Sequence, residues 1–352
     1  MIGCNFLAHV FYREKEKRNK LSTILLRTRV GNLVKLILFN KIDSQMRIFF
    51  AAVIFLCVTV AALGQEKNQY LFSYFVGNGE DGLHLAHSED GYLWKPLNEG
   101  NSYLTPSVGK DKLMRDPSIL LGVDGMFHMV WTVSWGEKGI GYSSSKDLIH
   151  WTEQQYIPVM EHEANARNCW APELFYDKDT QLYYIFWATT ITGKFKEGEE
   201  QKYNHRLYYV TTKDFISFTP TRLFYNHKFS VIDAAIIHAA NKYVMFLKDE
   251  TDKPNIPEKN IRIATSDKAE GPYTKPGKSI TGSYWAEGPA PINIKGKWFV
   301  YFDKYTQHKY GVITSTDLEN WTDESEKISM PAGIRHGTAF EVSTAVVNKL
   351  IK

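Results

Sequence analysis

The sequence has little cysteine for a chain of 352 residues, and its three cysteines are unevenly placed. Cys4 and Cys57 lie in the first 64 residues, so Cys169 alone remains in the rest of the chain. One cysteine excludes an intrachain disulfide in residues 65–352, and we expect a buried, unreactive thiol. The sequence shows no His/Cys/Asp cluster with the spacing of a metal site and no glycine-rich phosphate loop, so we predict no metal site.

The chain also lacks an apolar run of the roughly 20 residues that a membrane-spanning helix needs. The nearest candidate, residues 48–60, follows Met46 and Arg47 and precedes small residues at 62–64. This order is typical of a secretory signal peptide that is cleaved before Gln65. The protein is therefore predicted to be secreted or periplasmic, without stable membrane insertion. The predicted segments are an over-extended leader at 1–45, a signal peptide at 46–64 and one domain at 65–352.

Positive charge is scarce outside this leader. Residues 1–64 hold ten Lys and Arg against three Asp and Glu, a net charge of +7, whereas the whole chain carries only +3. The remaining residues therefore carry −4, which removes the main electrostatic support for nucleic-acid binding. The chain is rich in aromatic residues, with 20 Tyr, 20 Phe and 9 Trp, which suits an all-β protein or a carbohydrate binder.

Long helical periodicity is absent, and a short repeated phrase is present instead. Each copy joins a strand-like stretch to a Ser/Thr residue, an acid and an aromatic residue, as in "SSKDLIHW" and "TTKDFISF". The acids of this phrase are typical of turn residues that bind nearby backbone N–H groups. Five units, spaced by 48 to 67 residues, predict an all-β, five-bladed β-propeller with four strands in each blade. The five copies end at Trp94, Trp151, Phe218, Tyr273 and Trp321.

The first unit is incomplete. The stretch "YLFSYFVG", from Tyr70, resembles a second strand with no first strand before it. The stretch "RHGTAFEVSTA", from Arg335, resembles a first strand with nothing after it. We therefore expect the C-terminal strand to close the ring, because closure removes exposed sheet edges.

Four acids lie near the start of the first strand of successive units, where a propeller directs side chains toward one mouth of its channel. They are Asp116 in "RDPSI", Glu173 in "WAPEL", Asp233 in "VIDAAI" and Glu287 in "EGPAPI", and we expect them at equivalent positions. Carboxylates placed close together repel one another, and this repulsion raises the pKa of some of them. That suits a site where one carboxylic acid donates a proton and another carboxylate activates water. A second Glu-Gly-Pro triplet, at Glu270, is interpreted as surface.

These motifs resemble those of glycoside hydrolase family 43, five-bladed propeller enzymes that act on arabinose- and xylose-containing glycans. The resemblance covers most of residues 68–345. It implies that Asp116 is the general base, that Glu287 is the general acid, and that Asp233 keeps the pKa of this acid raised. It further implies a single displacement with inversion, in which base and acid stand about 6.5–9.5 Å apart.

The resemblance also implies further contacts at the site. The Trp-Ala-Pro motif of the family usually ends in Asp, so Glu173 departs from it, and we assign Glu173 to substrate contact. The late His-Gly motif places His336 near the channel axis, sometimes beside a bound calcium ion, although no cofactor is expected to be required. Phe127, Trp170 and Trp285 are candidates for stacking on a sugar face.

The sequence thus predicts a secreted inverting glycosidase, an α-L-arabinofuranosidase or a related exo-acting enzyme on an oligo- or polysaccharide. Two alternatives stay open. The first is a non-catalytic propeller that binds sugars through its aromatic residues. The second is a propeller glycoside phosphorylase, whose phosphate site would be a cluster of basic residues assembled in space. The sequence identifies neither the sugar nor the oligomeric state.

Overall fold

The computed structural model describes residues 69–197, 202–252 and 257–351. The predicted leader at 1–45 and signal peptide at 46–64 lie outside the described residues. Within the described ranges the chain forms nineteen strands in five sheets and one short α-helix, which confirms the prediction of an all-β, five-bladed propeller. In this part of the chain no helix is both long and apolar enough to cross a membrane.

Most strands have four to nine residues, and the fourth strand of a blade is the shortest. The single helix, α1, spans Thr344–Leu350, and 3-10 turns lie at Asn98–Gly100 and Ser325–Lys327. In chain order the strands are β1 (Gln69–Tyr74), β2 (His84–Ser88), β3 (Lys95–Pro96), β4 (Arg115–Leu121), β5 (Phe127–Thr132), β6 (Ile140–Ser145), β7 (Gln155–Ile157), β8 (Trp170–Asp177), β9 (Leu182–Thr190), β10 (His205–Thr212), β11 (Arg222–Tyr225), β12 (Val231–Ala239), β13 (Lys242–Asp249), β14 (Asn260–Ser266), β15 (Glu287–Ile294), β16 (Lys297–Lys304), β17 (Lys309–Ser315), β18 (Thr322–Asp323) and β19 (Ala339–Val342).

Each sheet is an antiparallel meander and forms one blade. Blade 2 is β4–β7, blade 3 is β8–β11, blade 4 is β12–β14 and blade 5 is β15–β18. Blade 1 has the order β19-β1-β2-β3, so its first strand comes from the C-terminal part of the chain. The pairing runs from Gln69 opposite Val342 to Phe72 opposite Ala339. The two ends of the domain are therefore held together by backbone hydrogen bonds.

The middle strands are buried on both faces because each lies between two other blades. In β5, Met129 and Trp131 pack in one cluster with Leu71 of blade 1. Val130, which points to the opposite face, packs in another cluster with Ile185 of blade 3. Successive side chains of a strand point to opposite faces, so a strand in this position must be apolar throughout. This explains the near-continuous apolar runs of the second strands.

The repeated phrase forms the turn after the third strand. Asp147 Oδ1 accepts hydrogen bonds from the N–H groups of Ile149 and His150 at 2.9 and 2.8 Å. Asp214 and Asp317 make the same pair of backbone contacts in their blades. The prediction that these acids are turn residues is confirmed at the three positions.

A β-bulge lies near the start of β4, β8, β12 and β15 and changes one expectation from the sequence. The bulge residues with positive φ are Asp116, Ala171, Asp233 and Gly288, at φ values of 52°, 45°, 50° and 63°. Asp116 and Asp233 are thus equivalent, but Glu287 precedes its bulge residue by one position and Glu173 follows Ala171 by two. The expectation that all four acids share one position is wrong, because the four strands carry the same bulge and the acids stand at different places relative to it.

Two glycines permit close approaches at the closing strand. A Cβ atom on Gly288 would lie 2.4 Å from Cγ of His336, so this bulge residue has to be small as well as left-handed. A Cβ atom on Gly337 would lie 1.8 Å from the carbonyl oxygen of Ser73. Because that oxygen belongs to the backbone of β1, no side-chain rotation can relieve the overlap.

We expect Gly337→Ala to lower the free energy of unfolding by about 1–3 kcal/mol, because the segment before β19 must move away from β1. Gly277→Ala is the matched control, since its Cβ would meet nothing closer than 3.7 Å and should change stability by less than about 0.5 kcal/mol. Urea unfolding of the three proteins measures both values. Equal stability of the two variants would contradict the tight closure.

Candidate active site

A cavity of about 370 Å³ lies where the first strands of blades 2 to 5 begin. Its wall combines acidic, basic and aromatic side chains from four blades with Arg335 and His336, which precede the closing strand β19. Its volume lies near the lower end of the roughly 300–1,000 Å³ that is usual for small-molecule sites. The lining residues are Gly77, Asn78, Arg115, Asp116, Thr132, Trp135, Trp170, Ile232, Asp233, Lys248, Glu250, Glu287, Tyr305, Arg335 and His336.

Asp116 is held from both sides. Thr132 Oγ1 donates a hydrogen bond to its Oδ2 at 2.9 Å, and Nδ1 of His336 lies 3.3 Å from its Oδ1. The same Thr132 oxygen accepts the N–H of Ala171 at 2.8 Å, which orients its hydroxyl proton toward the carboxylate. Burial alone would raise the pKa of Asp116, but His336, Arg115 and Thr132 together hold it below its ordinary value. Asp116 is therefore an ionised carboxylate at neutral pH.

His336 supplies a positive charge in the middle of the acids. Burial alone would lower its pKa, but the hydrogen bond to Asp116 and the charges of Asp233 and Glu173 raise this pKa to about 9. The ring is then an imidazolium at neutral pH. The predicted position of His336 near the channel axis is in line with this geometry.

The surroundings of His336 do not fit a calcium site. Calcium prefers oxygen ligands, whereas the ring nearest the axis is cationic. In the described ranges no group of three or more His, Cys, Asp or Glu side chains could hold a metal ion. Calcium near His336 stays a prediction, and we derive no chemical step from it.

Asp233 is placed to hold a proton. Its Oδ2 accepts the backbone N–H of Gly288 at 3.1 Å, so it lies beside the segment that carries Glu287. Burial raises its pKa to about 7, and the charge of Glu287 adds to the effect, while His336 and Lys248 oppose it. Asp233 is the carboxyl group of the cavity that is protonated below neutral pH.

Glu287 is enclosed by two cations. Lys248 Nζ donates to its Oε2 at 2.9 Å, and Arg335 Nη2 donates to its Oε1 at 3.0 Å. Burial alone would raise the pKa of Glu287, but these two partners hold it below its ordinary value of 4.5. The two cations thus lower the pKa of Glu287 in this arrangement, and the role of Asp233 in keeping that pKa raised stays a prediction.

The ion pairs continue on both sides of Glu287. Arg335 Nε also donates to Asp303, which pairs with Glu287 across β15 and β16. On the other side, Lys248 Nζ lies 2.7 Å from Glu250 Oε2, and Lys259 Nζ donates to Glu250 Oε1 at 2.6 Å. The result is one chain of alternating charges, whose four middle members line the cavity. It runs Asp303, Arg335, Glu287, Lys248, Glu250, Lys259.

Sequence reasoning missed these cations, although a signal was present. Lys248 and Asp303 interrupt β13 and β16 near the end of otherwise apolar, buried runs. They lie opposite Ile232 and Glu287, and Thr132 holds the corresponding place in blade 2. A polar residue near the end of a buried second strand therefore marks the cavity in three blades.

Aromatic rings form two sides of the cavity. Trp170, a predicted stacking residue, lines it and meets Trp135 edge to face at a centroid distance of 5.4 Å. Trp135 is 48% exposed and is held by Arg115, whose guanidinium lies 4.3 Å from the ring centroid. On the opposite side Tyr305 lies over Lys248, and Trp285, 37% exposed, contacts Tyr305 at 5.9 Å. Trp285 is thus at the rim rather than in the wall.

Two predicted substrate contacts are not supported by the structure. Phe127 is only 2% exposed and packs against Phe340 in the core, at the end of β5 away from Thr132, so the prediction that it stacks on a sugar is wrong. Glu173 does not line the cavity; it receives a hydrogen bond from Thr338 at 3.3 Å. Burial raises the pKa of Glu173 to about 7. Its displacement by two positions from the bulge explains why it misses the cavity.

The arrangement is suited to acid–base chemistry on an uncharged polar molecule. It places an ionised carboxylate, Asp116, and a protonated one, Asp233, around the same cavity as Glu287. Proteins assign acid and base roles to neighbouring carboxyl groups by placing them in environments that separate their pKa values.

Comparison with known proteins gives a consistent result. A family model described as a "Probable glycosyl hydrolase domain", related to glycoside hydrolase family 43, matches residues 65–347. A curated α-L-arabinofuranosidase of Bifidobacterium longum subsp. longum is 25% identical over 200 residues, which cover 49% of this chain and 18% of that protein. The chain thus matches less than a fifth of the length of this relative.

Solved structures show the same fold at low sequence identity. A family 43 β-1,3-galactosidase is 14% identical, with a TM-score of 0.53 over 81% of this chain and 59% of that chain. An α-L-arabinofuranosidase from Clostridium thermocellum is 14% identical, with a TM-score of 0.50 over 70% of this chain and 86% of that chain. The family model covers most of the chain, and the chain therefore belongs to the glycosyl hydrolases related to glycoside hydrolase family 43.

Proposed function

We propose that this protein is an inverting exo-glycosidase that releases a sugar from an oligo- or polysaccharide, with α-L-arabinofuranosides as the first substrates to test. The observation that carries the proposal is the convergence of Asp116, Asp233 and Glu287 on one cavity, where their surroundings lower the pKa of Asp116 and raise that of Asp233. An inverting glycosidase needs such a division, because one group must remove a proton from water while another supplies a proton to the leaving oxygen.

In this mechanism Asp116 is the general base. Its carboxylate is fixed by Thr132 and His336, so the oxygen that faces a water molecule is oriented before substrate binds. Such pre-orientation lowers the cost of reaching the transition state. The imidazolium of His336 also compensates the negative charge of Asp116, and it compensates that of Asp233 once Asp233 has given up its proton.

Glu287 is the general acid, and Asp233 stores its proton. In the free protein, Lys248 and Arg335 favour the ionised form of Glu287, so the proton rests on Asp233. When a sugar fills the cavity, the proton passes from Asp233 to Glu287 and then to the leaving oxygen. The two acids behave as a pair that shares one proton, and its loss near pH 7 would end catalysis.

The substrate class follows from the wall of the cavity and from the relatives. Trp135, Trp170 and Tyr305 offer flat apolar faces of the kind on which sugar rings stack. A cavity of about 370 Å³ suits the end of a glycan rather than a long internal segment. The arabinofuranosidases among the similar proteins make that sugar the first choice.

The cellular site follows from the predicted signal peptide at 46–64, and we propose a secreted or periplasmic enzyme. A charge of −4 after residue 64 does not favour nucleic acid as a partner.

Hydrolysis is favoured over phosphorolysis by the ion pairs of Lys248 and Arg335, two of the cations that line the cavity, while Arg115 there stacks on Trp135. A phosphorylase needs cations that are free to bind phosphate in the cavity. Lys248 is paired with Glu287 and Glu250, and Arg335 is paired with Glu287 and Asp303. A sugar-binding propeller without catalysis would gain nothing from acids whose pKa values are driven apart.

We expect Glu287→Gln and Asp116→Asn each to lower kcat/KM by about 10²–10⁴-fold, because each removes one proton-transfer group. Activity is measured on aryl α-L-arabinofuranosides and β-xylopyranosides. The loss in Glu287→Gln should be smaller for aryl leaving groups of low pKa, since these need little protonation, whereas the loss in Asp116→Asn should not depend on the leaving group.

Glu270→Gln is the matched control, because Glu270 stands in an identical Glu-Gly-Pro triplet but is exposed and outside the cavity. It should retain wild-type activity. Full activity of Glu287→Gln or Asp116→Asn would show that the acids are misassigned. An inactive wild type on a broad glycoside panel would favour the sugar-binding alternative.

We also expect Asp233→Asn to move the alkaline limb of the kcat/KM pH profile downward. In the wild type the shared proton is held until about pH 7, so activity should fall above that pH. Without Asp233, Glu287 must bind its own proton, and its pKa lies below 4.5 because of Lys248 and Arg335. An alkaline limb that stays near pH 7 in Asp233→Asn would rule out Asp233 as the proton store.

A further inference from the structure

Each oxygen of Glu287 accepts a hydrogen bond from a cation in this structure. Arg335 donates to Oε1 and Lys248 donates to Oε2, at 3.0 and 2.9 Å. A carboxylic acid that donates a proton to a leaving oxygen must first be protonated, whereas two adjacent cations favour its ionised form. If Glu287 has the role proposed above, on which this inference rests, its protonation becomes easier when one of the two cations moves away.

Lys248 has a second partner already in place. Its Nζ lies 2.7 Å from Glu250 Oε2, closer than to Glu287. Glu250 Oε2 is buried, yet it has no aligned hydrogen bond from any described residue, although it forms this ion pair. Its other oxygen is held by Lys259 at 2.6 Å. Glu250 is thus fixed in position, with Oε2 already beside the ammonium group of Lys248.

Arg335 is less suited to release Glu287. It bridges two acids with different nitrogens, Nε to Asp303 and Nη2 to Glu287. Its guanidinium is planar and rigid, so turning it away from Glu287 would also disturb the bond to Asp303. The ammonium of Lys248 is a point charge on a flexible stem with three donors, and a small rotation changes its partner.

We propose that Lys248 is a positioning residue that bridges Glu287 and Glu250 in the free protein and keeps only Glu250 when Glu287 receives its proton from Asp233. The proton leaves one Asp233 oxygen and binds Glu287 Oε2, so Asp233 becomes the anion of the pair. Lys248 remains charged throughout, and its charge is then compensated by Glu250. Lys248, which is only 2% exposed, is in this way never left in the interior without a partner.

The groups that could influence this exchange are all close to the chain of charges. These acidic, basic and aromatic side chains come from β4, β10, β12, β13, β15 and β16 and from the segments beside them. They are Asp116, Asp233, Glu250, Glu287, Asp303 and Tyr305, together with Arg335, His336, Lys259 and the buried His205.

The first test is Lys248→Met, which removes the charge but keeps a long, apolar side chain. An opposite charge at this distance lowers a carboxyl pKa by about 1–3 units, so its removal should raise the alkaline limb of the kcat/KM profile by a similar amount. Glu250→Gln should move the limb the other way, because Lys248 then has no alternative partner and stays on Glu287. Lys248→Gln replaces Lys248→Met if thermal melting shows that the latter does not fold.

The double variant Lys248→Met/Glu250→Gln separates an exchange of partners from a simple sum of charges. If Glu250 acts through Lys248, the double variant has the profile of Lys248→Met, and the effect of Glu250→Gln vanishes in that background. A shift from Glu250→Gln that is equally large without Lys248 would overturn the proposal, because Glu250 would then act on the acids directly. An unchanged limb in folded Lys248→Met would overturn it as well.

A readout without turnover keeps this inference distinct from the proposed function. The side-chain carboxyl carbon of Glu287, followed by ¹³C NMR during a pH titration, should show a higher pKa in Lys248→Met and a lower one in Glu250→Gln. If these shifts are seen and the wild type is inactive, the proposed glycosidase function is refuted, whereas the role of Lys248 between Glu287 and Glu250 stands. No shift in either variant would refute the positioning role even if the protein hydrolyses glycosides.

Discussion

The ion pairs around Glu287 are the interaction on which the rest of this site depends. A carboxylate and an ammonium buried without partners each cost several kcal/mol, and breaking such a pair by removing one member costs about 3–5 kcal/mol. The protein avoids this cost by alternating charges from Asp303 to Lys259, whose four middle members line the cavity. The same arrangement decides which carboxyl group carries the proton, so stability and protonation are set by one set of contacts.

The propeller supplies the geometry that this chain of charges needs. Its first strands converge at one mouth, and a bulge at the start of four of them turns a residue into the left-handed region. Asp tolerates that conformation better than most residues, and Gly tolerates it freely, which suits the occupants Asp116, Asp233 and Gly288. Strained positions of this kind cost about 1–3 kcal/mol each and are found at functional sites. Here they direct two carboxyl groups toward the cavity.

Closure of the ring has a direct consequence for the site. The segment that leads into β19 carries Arg335 and His336, and its approach to β1 depends on Gly337. Arg335 holds Glu287, and His336 holds Asp116, so the segment that leads into the closing strand of blade 1 contributes one cation to each of the proposed acid and base. The pairing that joins the two ends of the domain therefore also completes the cavity.

The sequence was sufficient for the fold and for the acids, and insufficient for the charges between them. Period-two strands, turn phrases and the split first unit predict five blades, because each depends on local residues. The acids Asp116, Asp233 and Glu287 do line one cavity. The bulges, the burial of Phe127 and the position of Glu173 depend on register. The partners Lys248 and Arg335 lie 39 and 48 residues from Glu287 along the chain, so only the folded structure brings them to it.

A ¹³C NMR titration of the wild-type protein locates the proton that Asp233 and Glu287 share. We expect the side-chain carboxyl group of Asp233 to titrate near pH 7, while Glu287 is already ionised below its ordinary pKa of 4.5. The proposed division of roles would be refuted by an Asp233 that ionises at its ordinary acidic pH while Glu287 stays protonated up to neutrality.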